Sequence, residues 1–448
     1  MSNRYYEVIL CFNNFGPYHI ARLAALHSKP ELHVMPLQIS SSTSTYNWSS
    51  YSSKYEISTL SSRDDEQAIP LIIFFRALYF FLTVSCSIVL LPSYSPARNT
   101  ALLLAAKISN KKLIMMNDSH QATAKASGFS LLVKKFLVKL FHAAVVAGRP
   151  QRRYFSSMGM SDNKIFSPYD VVDNEHFNPT NLDTLYNNKL YQIHKLKLAP
   201  FFLNISRHVP KKNISFIIKS YQLFCNCNSE RAISLSKETW ADHHFLTEYP
   251  FLLLAGSGPE TSNLVRLAEN LDLSVFLYDE AFHHILDLPY PSDLHRFLRT
   301  ARSYFSGNSI QNVVLFLGDV NYSEIKLLYH EAFFFILAST SEEWGLVVNE
   351  AMASSLPSLL SARAGCCEDL MDLDPSFNLE SSLIDWKITP YGCVFDPYNL
   401  GSLVSCFNYA FQLNKRDYFS ISSNCIRKIS DYSPMAFADA VLASIYSL

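Results

Sequence analysis

The chain has 448 residues, of which 49% are hydrophobic, 14% aromatic and 17% charged. That length exceeds one ordinary core, so two folded domains are expected, and the composition excludes a disordered chain. A formal net charge of −1, with no long run of either sign, excludes a protein built as a whole to bind nucleic acid. The nine cysteines are scattered, and only Cys225/Cys227 and Cys366/Cys367 lie close together. With no CxxC pair, neither a disulfide framework nor a zinc site is supported, and a reducing, cytoplasmic setting is expected.

In chain order, MSNRYYEVILCFNN has too short an apolar run for a signal peptide and reads as a first buried strand. LHVMPLQI, SIVLLP, KLIMMND and AAVVAG continue the series, each followed by a loop and a helical stretch. Between them, AIPLIIFFRALYFFLTVSCSIVLL carries Arg76 as its one charge and is long enough to cross a bilayer. Its strand-like end favours another reading, a buried helix ending near Thr83 followed by a core strand. LLVKKFLVKLF, residues 131–141, interleaves Lys134, Lys135 and Lys139 with apolar residues. It reads as a solvated helix face or as a helix resting on an anionic surface, at the inner face of a membrane.

The alternation then repeats. PFFLNIS, PFLLLAG, VVLFLG, FFFILAS, PSLLS and GCVFD read as strands with helices between them. Strands alternating with helices predict parallel sheets covered on both faces, so two doubly wound α/β domains are expected. The polar, Asn-rich stretch 178–199 reads as the linker between a domain over 1–177 and one over 200–432. Residues 228–248 and 276–309 look like insertions into the second domain.

Ligands of such sheets bind beyond the carboxyl ends of the strands. After FFFILAS comes SEEWGLVVNEAMASSLP, in which Glu342 precedes a helix and Glu350 lies within it. Eight helical steps separate two such carboxylates by about 12 Å, close to the spacing of the two sugars of a nucleotide sugar. Backbone N–H groups around Gly345, Leu346 and Val347 would face the diphosphate between them. Glu342 as a simple helix cap and Glu350 as a surface residue form the plainer alternative.

These residues resemble the Glu-x7-Glu motif of family 4, group 1 glycosyltransferases, retaining enzymes of the GT-B fold. GPYHIARL, VVAGRPQRRYFSSMGMSDNKIFSPYDVVDNEHF, FFLNISRHVPKKNISFIIKSY, LLLAGSGP, LPSLLSARAGCCEDL and YGCVFDPYN resemble further family segments in the same order. The resemblance implies two Rossmann-like domains facing a central cleft, with the last helix, over 433–448, returning to the acceptor-side first domain. It implies that Arg207 and Lys212 hold the donor diphosphate, Glu342 the transferred sugar and Glu350 the ribose. Gly256, Gly365 and Glu368 would lie in loops along the donor, although Glu368 alone could simply cap a helix. Gly16 would let the first loop approach the phosphates, and His120 would contact the sugar or acceptor. His19 fits the acceptor side or an ordinary loop.

The chain departs from the family pattern in three places. Ser206 and Ser355 stand where glycine is usual; a non-Gly residue at a left-handed position costs some strain, so these loops are expected to bend differently. Glu343 replaces the usual Gly or Pro. Asp372-Leu-Asp374 spells DxD but reads as a loop, so no metal site is expected. Gly256-Ser-Gly258-Pro is too short for a dinucleotide fingerprint, which argues against an oxidoreductase. The expected activity is therefore metal- and cofactor-free transfer of a sugar from a nucleotide sugar to a sugar or lipid-linked acceptor. A sugar-nucleotide epimerase or a non-catalytic binding protein are the alternatives.

Overall fold

The computed structural model describes residues 5–42, 54–124, 127–180, 182–190, 198–235, 250–374 and 386–448. It forms two compact units, one of residues 1–173 with 431–448 and one of 174–430.

In the first unit, β1 (Tyr6–Phe12), β2 (Leu32–Ser40), β3 (Ser58–Ser61), β4 (Ile88–Pro92), β5 (Lys112–Asn117), β6 (Ala143–Val146) and β7 (Ile165–Phe166) form one sheet. Their order is β3-β2-β1-β4-β5-β6-β7, and every pairing is parallel. Alternate side chains of the central strands feed two separate cores. Ile9, Cys11, Val89, Leu91, Leu113 and Met115 face one way. Val8, Leu10, Ile88, Leu90, Ile114 and Met116 face the other. The strands are thus buried on both sides, which is why they read as continuous apolar runs. The second of these cores takes in Phe437, Val441 and Ile445 from the helix Pro434–Tyr446, so the chain's last helix completes the first unit.

In the second unit, β8 (Phe201–Ile205), β9 (Phe251–Ala255), β10 (Ser274–Leu277), β11 (Val313–Gly318), β12 (Phe334–Leu337), β13 (Ser358–Ser361), β14 (Trp386–Thr389) and β15 (Gly392–Phe395) form the other sheet. The order is β10-β11-β9-β8-β12-β13-β15-β14, with only the β14–β15 pairing antiparallel. Connections run to one side from β8 and to the other from β12. The gap beyond the ends of these two strands is therefore the unit's topological switch point. β8 and β12 pair only over Phe334↔Phe202 and Phe335↔Leu203 before they diverge. Asn204, fully buried, spans the widening gap by donating from Nδ2 to the Ile336 carbonyl at 2.8 Å.

One sequence reading is corrected here. The helix Pro70–Thr83 does end at Thr83, but it is not a buried helix. Ile73, Ala77 and Phe81 face the core, while Leu71, Phe75 and Tyr79 are 65%, 60% and 73% exposed. Residues 276–309, read as an insertion, pack into the second unit, with Phe305 against Phe251. They include the end of β10 and the helix Leu294–Gly307, which buries Leu294, Phe297, Leu298 and Phe305. The stretch 178–199 is in part a helix, Leu182–Leu190, belonging to the second unit. Of the other proposed insertion, residues up to 235 continue the helix Ile214–Leu235, and 236–248 lie outside the described residues.

That linker-region helix is held by buried Lys189, whose Nζ donates to the Ala332 carbonyl at 3.0 Å. Burial pushes its ammonium down to about 7, and nearby Arg302 adds to the effect while Glu331 opposes it. Beside it, His330 is pushed down to about 4, chiefly by burial. Its Nε2 lies 2.8 Å from the Phe177 carbonyl, which places a proton on that nitrogen and partly opposes the effect of burial. The unfolded chain takes up a proton at His330 between about pH 6.5 and 4, whereas the folded chain does not. Stability from this group is complete above pH 6.5 and is lost as the pH falls towards 4. His330→Gln keeps a donor for Phe177 without the titration. Its melting temperature should decline less steeply than wild type between pH 7 and 5, a difference of roughly 1–2 kcal/mol at pH 5. Parallel declines would show that His330 does not titrate in this way.

Candidate active site

The loops after β8, β9, β12 and β13 meet at the carboxyl edge of the second sheet. The first contact is a backbone crossing. Gly256 has φ +117, and a Cβ there would lie 2.1 Å from the Ser206 carbonyl oxygen. A Cβ on Gly258 would lie 2.5 Å from the His208 carbonyl oxygen. Only glycine admits both the left-handed backbone and the close approach. The β8 loop is thereby pressed onto the β9 loop, which fixes where Arg207 leaves the sheet. His208 is buried beneath it, with Nδ1 2.9 Å from Thr261 Oγ1. Burial pushes its imidazole down, against the pull of Asp319, so it adds no charge beside Arg207.

A short turn, Pro210–Lys212, follows and ends on Asn213 at φ +57. The turn is tied to the β12 loop through Thr340 N, which donates to the Lys211 carbonyl at 2.9 Å. Lys212 Nζ then forms a short ion pair with Glu342 Oε2. The same carboxylate oxygen accepts from Ser339 Oγ at 3.0 Å. Glu342 is 9% exposed, far from the surface cap of the plainer reading. Lys211 and Glu343 approach only to 3.8 Å with both side chains about half exposed, a weak interaction. Arg207 is exposed, and its guanidinium has no ion pair or hydrogen bond among the described residues.

Beyond Glu342 the chain turns at Gly345, φ +106, into the helix Leu346–Ala353. The N–H groups of Leu346 and Val347 have no backbone partner among the described residues, as expected of a first helical turn. They leave a positive helix end beside a lysine. Glu350 is 1% exposed and accepts a hydrogen bond from Tyr329 OH at 2.7 Å, so it is not a surface residue. The loop after β13 docks on the same turn, with Gly365 N donating to the Glu342 carbonyl and Cys366 N to the Trp344 carbonyl, both at 3.1 Å. Glu368 is fully buried in the short helix Cys367–Leu370 just behind. Burial, then neighbouring thiol and carboxyl groups, pushes the Cys366 and Cys367 thiols up, so they are packing groups rather than nucleophiles.

The structure thus brings Lys212, Glu342, Gly345, Leu346, Val347, Gly365 and Glu368 to one edge, with Arg207 and Gly256 in the loops alongside and Glu350 one helix layer below. Gly16, His19 and His120 belong to the first unit. There, Gly16 begins the helix Pro17–His27 and its N–H donates to His19 Nδ1 at 3.1 Å. His19 lies 4.2 Å ring to ring from Phe12, and burial, then Arg22, pushes it well below the ordinary range. Its role in this unit is a neutral helix cap. His120, 1% exposed, opens a turn closed by Thr123 and Ala124. Ser206 is not left-handed; the left-handed residue at this contact is Gly256. Ser355 is left-handed at φ +62, and its hydroxyl donates to the Ser422 carbonyl at 3.2 Å. Asp372 pairs with Lys428 and accepts from Tyr391 OH, a structural role.

Sequence reasoning missed Asn204, Ser339 and Tyr329. A lone Asn in an apolar strand and a Tyr among helix positions gave the only signals, and neither carries an address.

Residues 299–375 match the model of the glycosyl transferases group 1 family. That segment holds Glu342, Gly345, Glu350, Gly365 and Glu368. No curated protein matches the sequence. Among solved structures, Anabaena HepE in complex with UDP and glucose superposes with a TM-score of 0.59 at 13% identity, covering 99% of this chain and 100% of that one. The fold is GT-B. Sucrose-phosphate synthase from Thermosynechococcus elongatus matches with a TM-score of 0.58 at 13% identity over 98% of both chains. The E. coli trehalose-6-phosphate protein bound with UDP-2-fluoro glucose matches with 0.60 at 10% identity over 99% of both. Such low identities extend the GT-B likeness along the whole chain but do not transfer a substrate.

Proposed function

We propose that this chain is a retaining, metal-independent glycosyltransferase of the family 4 type, taking its sugar from a nucleotide-sugar donor. The observation that carries the reading is the Lys212–Glu342 pair, held beside the open N–H groups of Leu346 and Val347 at the switch point of the second unit. A cation and a helix N-terminus suit a diphosphate, and a carboxylate beside them suits sugar hydroxyls. Arg207 and Lys212 stabilise charge on the departing diphosphate, so no metal is required for that task. The donor's own phosphate oxygen accepts the acceptor's proton as the sugar leaves, and the protein's contribution is positioning. Glu350 holds the ribose, His120 serves the reacting sugar, and Gly16 with His19 shapes the acceptor side. The acceptor is a sugar hydroxyl on a polysaccharide or lipid-linked precursor. Nine unpaired cysteines suit a cytoplasmic setting.

UDP-glucose is the first donor to test, because it is bound in a solved HepE structure. A panel of nucleotide sugars should contain one that raises the melting temperature and is slowly hydrolysed, with chelator present or absent. A ligand at a hundred times its Kd adds about 2.7 kcal/mol of stability, a shift readily measured. The released sugar should first appear with the donor's own anomeric configuration. A panel in which no nucleotide sugar shifts melting or turns over would overturn the assignment.

A further inference from the structure

The first unit carries an apolar surface that its own fold does not cover. Among the described residues, 21 large apolar side chains are exposed, and 12 of them lie on three helices or at their starts. These are Pro70–Thr83, Ala97–Ile108 and Gly128–Val138. All three pack against the same side of the sheet, since Ile73, Phe81, Leu102, Leu103 and Val138 share one core. Their outward residues therefore lie on one face of the unit.

The pattern on that face is regular. Leu71, Phe75, Tyr79 and Leu82 form a stripe along the first helix, opposite its buried stripe of Ile73, Ala77 and Phe81. A helix that is apolar all round yet covered on one side only has a second apolar environment to meet. On the third helix, Phe129, Leu132 and Phe136 repeat at helical spacing and are 81%, 63% and 63% exposed. A groove of about 430 Å³ runs between Phe75, Tyr79 and the strand residues Thr59 and Leu60, with exposed Arg76 at its edge.

Charge decides what covers this face. The three helices contain no Asp or Glu, and they carry Arg76, Arg98, Lys107, Lys134 and Lys135, with Lys139 next in line. Asp64 and Glu66 lie in the turn before the first helix, but the helices themselves carry only cations, an excess that a protein partner or a second copy of this near-neutral chain would not call for around an aromatic stripe. An anionic lipid surface does, with aromatic and aliphatic side chains entering the headgroup layer and lysines reaching phosphates. No described helix is long and apolar enough to cross a membrane, so the contact is made by helices lying on it. We propose that this face docks the first unit onto an anionic phospholipid bilayer. The inference stands apart from the glycosyltransferase reading, because it is tested by binding alone.

The test is flotation of the full chain with vesicles of zwitterionic lipid, with or without phosphatidylglycerol. Wild type should float with anionic vesicles at low salt and be released by high salt. Each lysine near such a surface changes binding about fivefold, so Lys134→Gln, Lys135→Gln and Lys139→Gln together should weaken it on the order of a hundredfold. Phe129→Ser, Leu132→Ser and Phe136→Ser together should abolish flotation at any salt. Both triple variants alter exposed or partly exposed positions, and unchanged melting would confirm that they fold. Wild type that never floats with anionic vesicles, or triple variants that float as well as wild type, would overturn the proposal. So would a dimer in sedimentation that the Phe129, Leu132 and Phe136 changes dissociate, since the face would then be covered by a second copy.

Discussion

Replacing Lys212 with alanine should lower kcat at least a hundredfold while Lys211→Ala leaves it nearly unchanged. The two lysines are neighbours in one turn, so the contrast isolates geometry from net charge. Lys212 reaches the Glu342 carboxylate and is mostly covered, with its side chain 16% exposed. Lys211 is about half exposed and stands 3.8 Å from Glu343, where solvent screens it. A fixed, partly desolvated cation beside developing charge is comparable to an oxyanion-hole donor, whose loss costs about 10²–10³ in kcat. Arg207→Ala should give a loss of similar size, because Arg207 has no structural partner that would make its removal costly to the fold. Lys212→Ala leaves the carboxylate of Glu342 with Ser339 but without its cation, so some stability is lost as well. Steady-state rates must therefore be measured well below the variant's melting temperature. Equal, small effects of Lys211→Ala and Lys212→Ala would show that the turn is only a basic surface.

The strands that lie deep in each sheet were legible because burial on both faces makes them unbroken apolar runs. YEVILCF and VVLFLG could hardly be anything else. The short edge strands were not legible, since Ser58–Ser61 and Ile165–Phe166 offer four and two residues with no period to detect. Within the stretch that reads as an insertion, the helices Glu280–Ile285 and Leu294–Gly307 start at Asp279 and Asp293, whose side chains accept from the first-turn N–H groups. In the site, Glu342 and Glu350 were legible from their spacing and from the helix between them. What that spacing could not reveal is that the two carboxylates differ in environment. One is tied to a lysine and the other to a tyrosine twenty-one residues earlier. At Ser206 the residue type shows only that the loop must bend differently from one with glycine there. The structure places the left-handed residue on the opposite side of the contact, at Gly256, which a pairwise view of the two loops is needed to see.

That difference in environment leads to the last expectation, that the two glutamates fail in different ways. Glu350→Gln keeps an oxygen to accept the Tyr329 hydroxyl and so retains its local packing. If Glu350 holds the ribose as proposed, the variant loses the charge that strengthens those hydrogen bonds, and bonds to charged groups contribute about 1.5–3 kcal/mol. Donor Kd should therefore rise about ten- to a hundredfold with kcat at saturation little altered, the signature of binding shared by ground and transition states. Glu342→Gln loses its ion pair with Lys212 but keeps an oxygen for Ser339. If its carboxylate meets the sugar as positive charge develops on it, donor Kd should stay close to wild type and kcat should fall. Tyr329→Phe serves as the control, because it removes the hydroxyl that reaches Glu350 and the Val347 carbonyl while sparing the carboxylate, and should shift Kd in the same direction by less. Isothermal titration with the donor, set beside steady-state rates, separates the two quantities. A Glu342→Gln variant that loses donor affinity with kcat intact, or a Glu350→Gln variant that does the reverse, would exchange the two roles along the helix Leu346–Ala353.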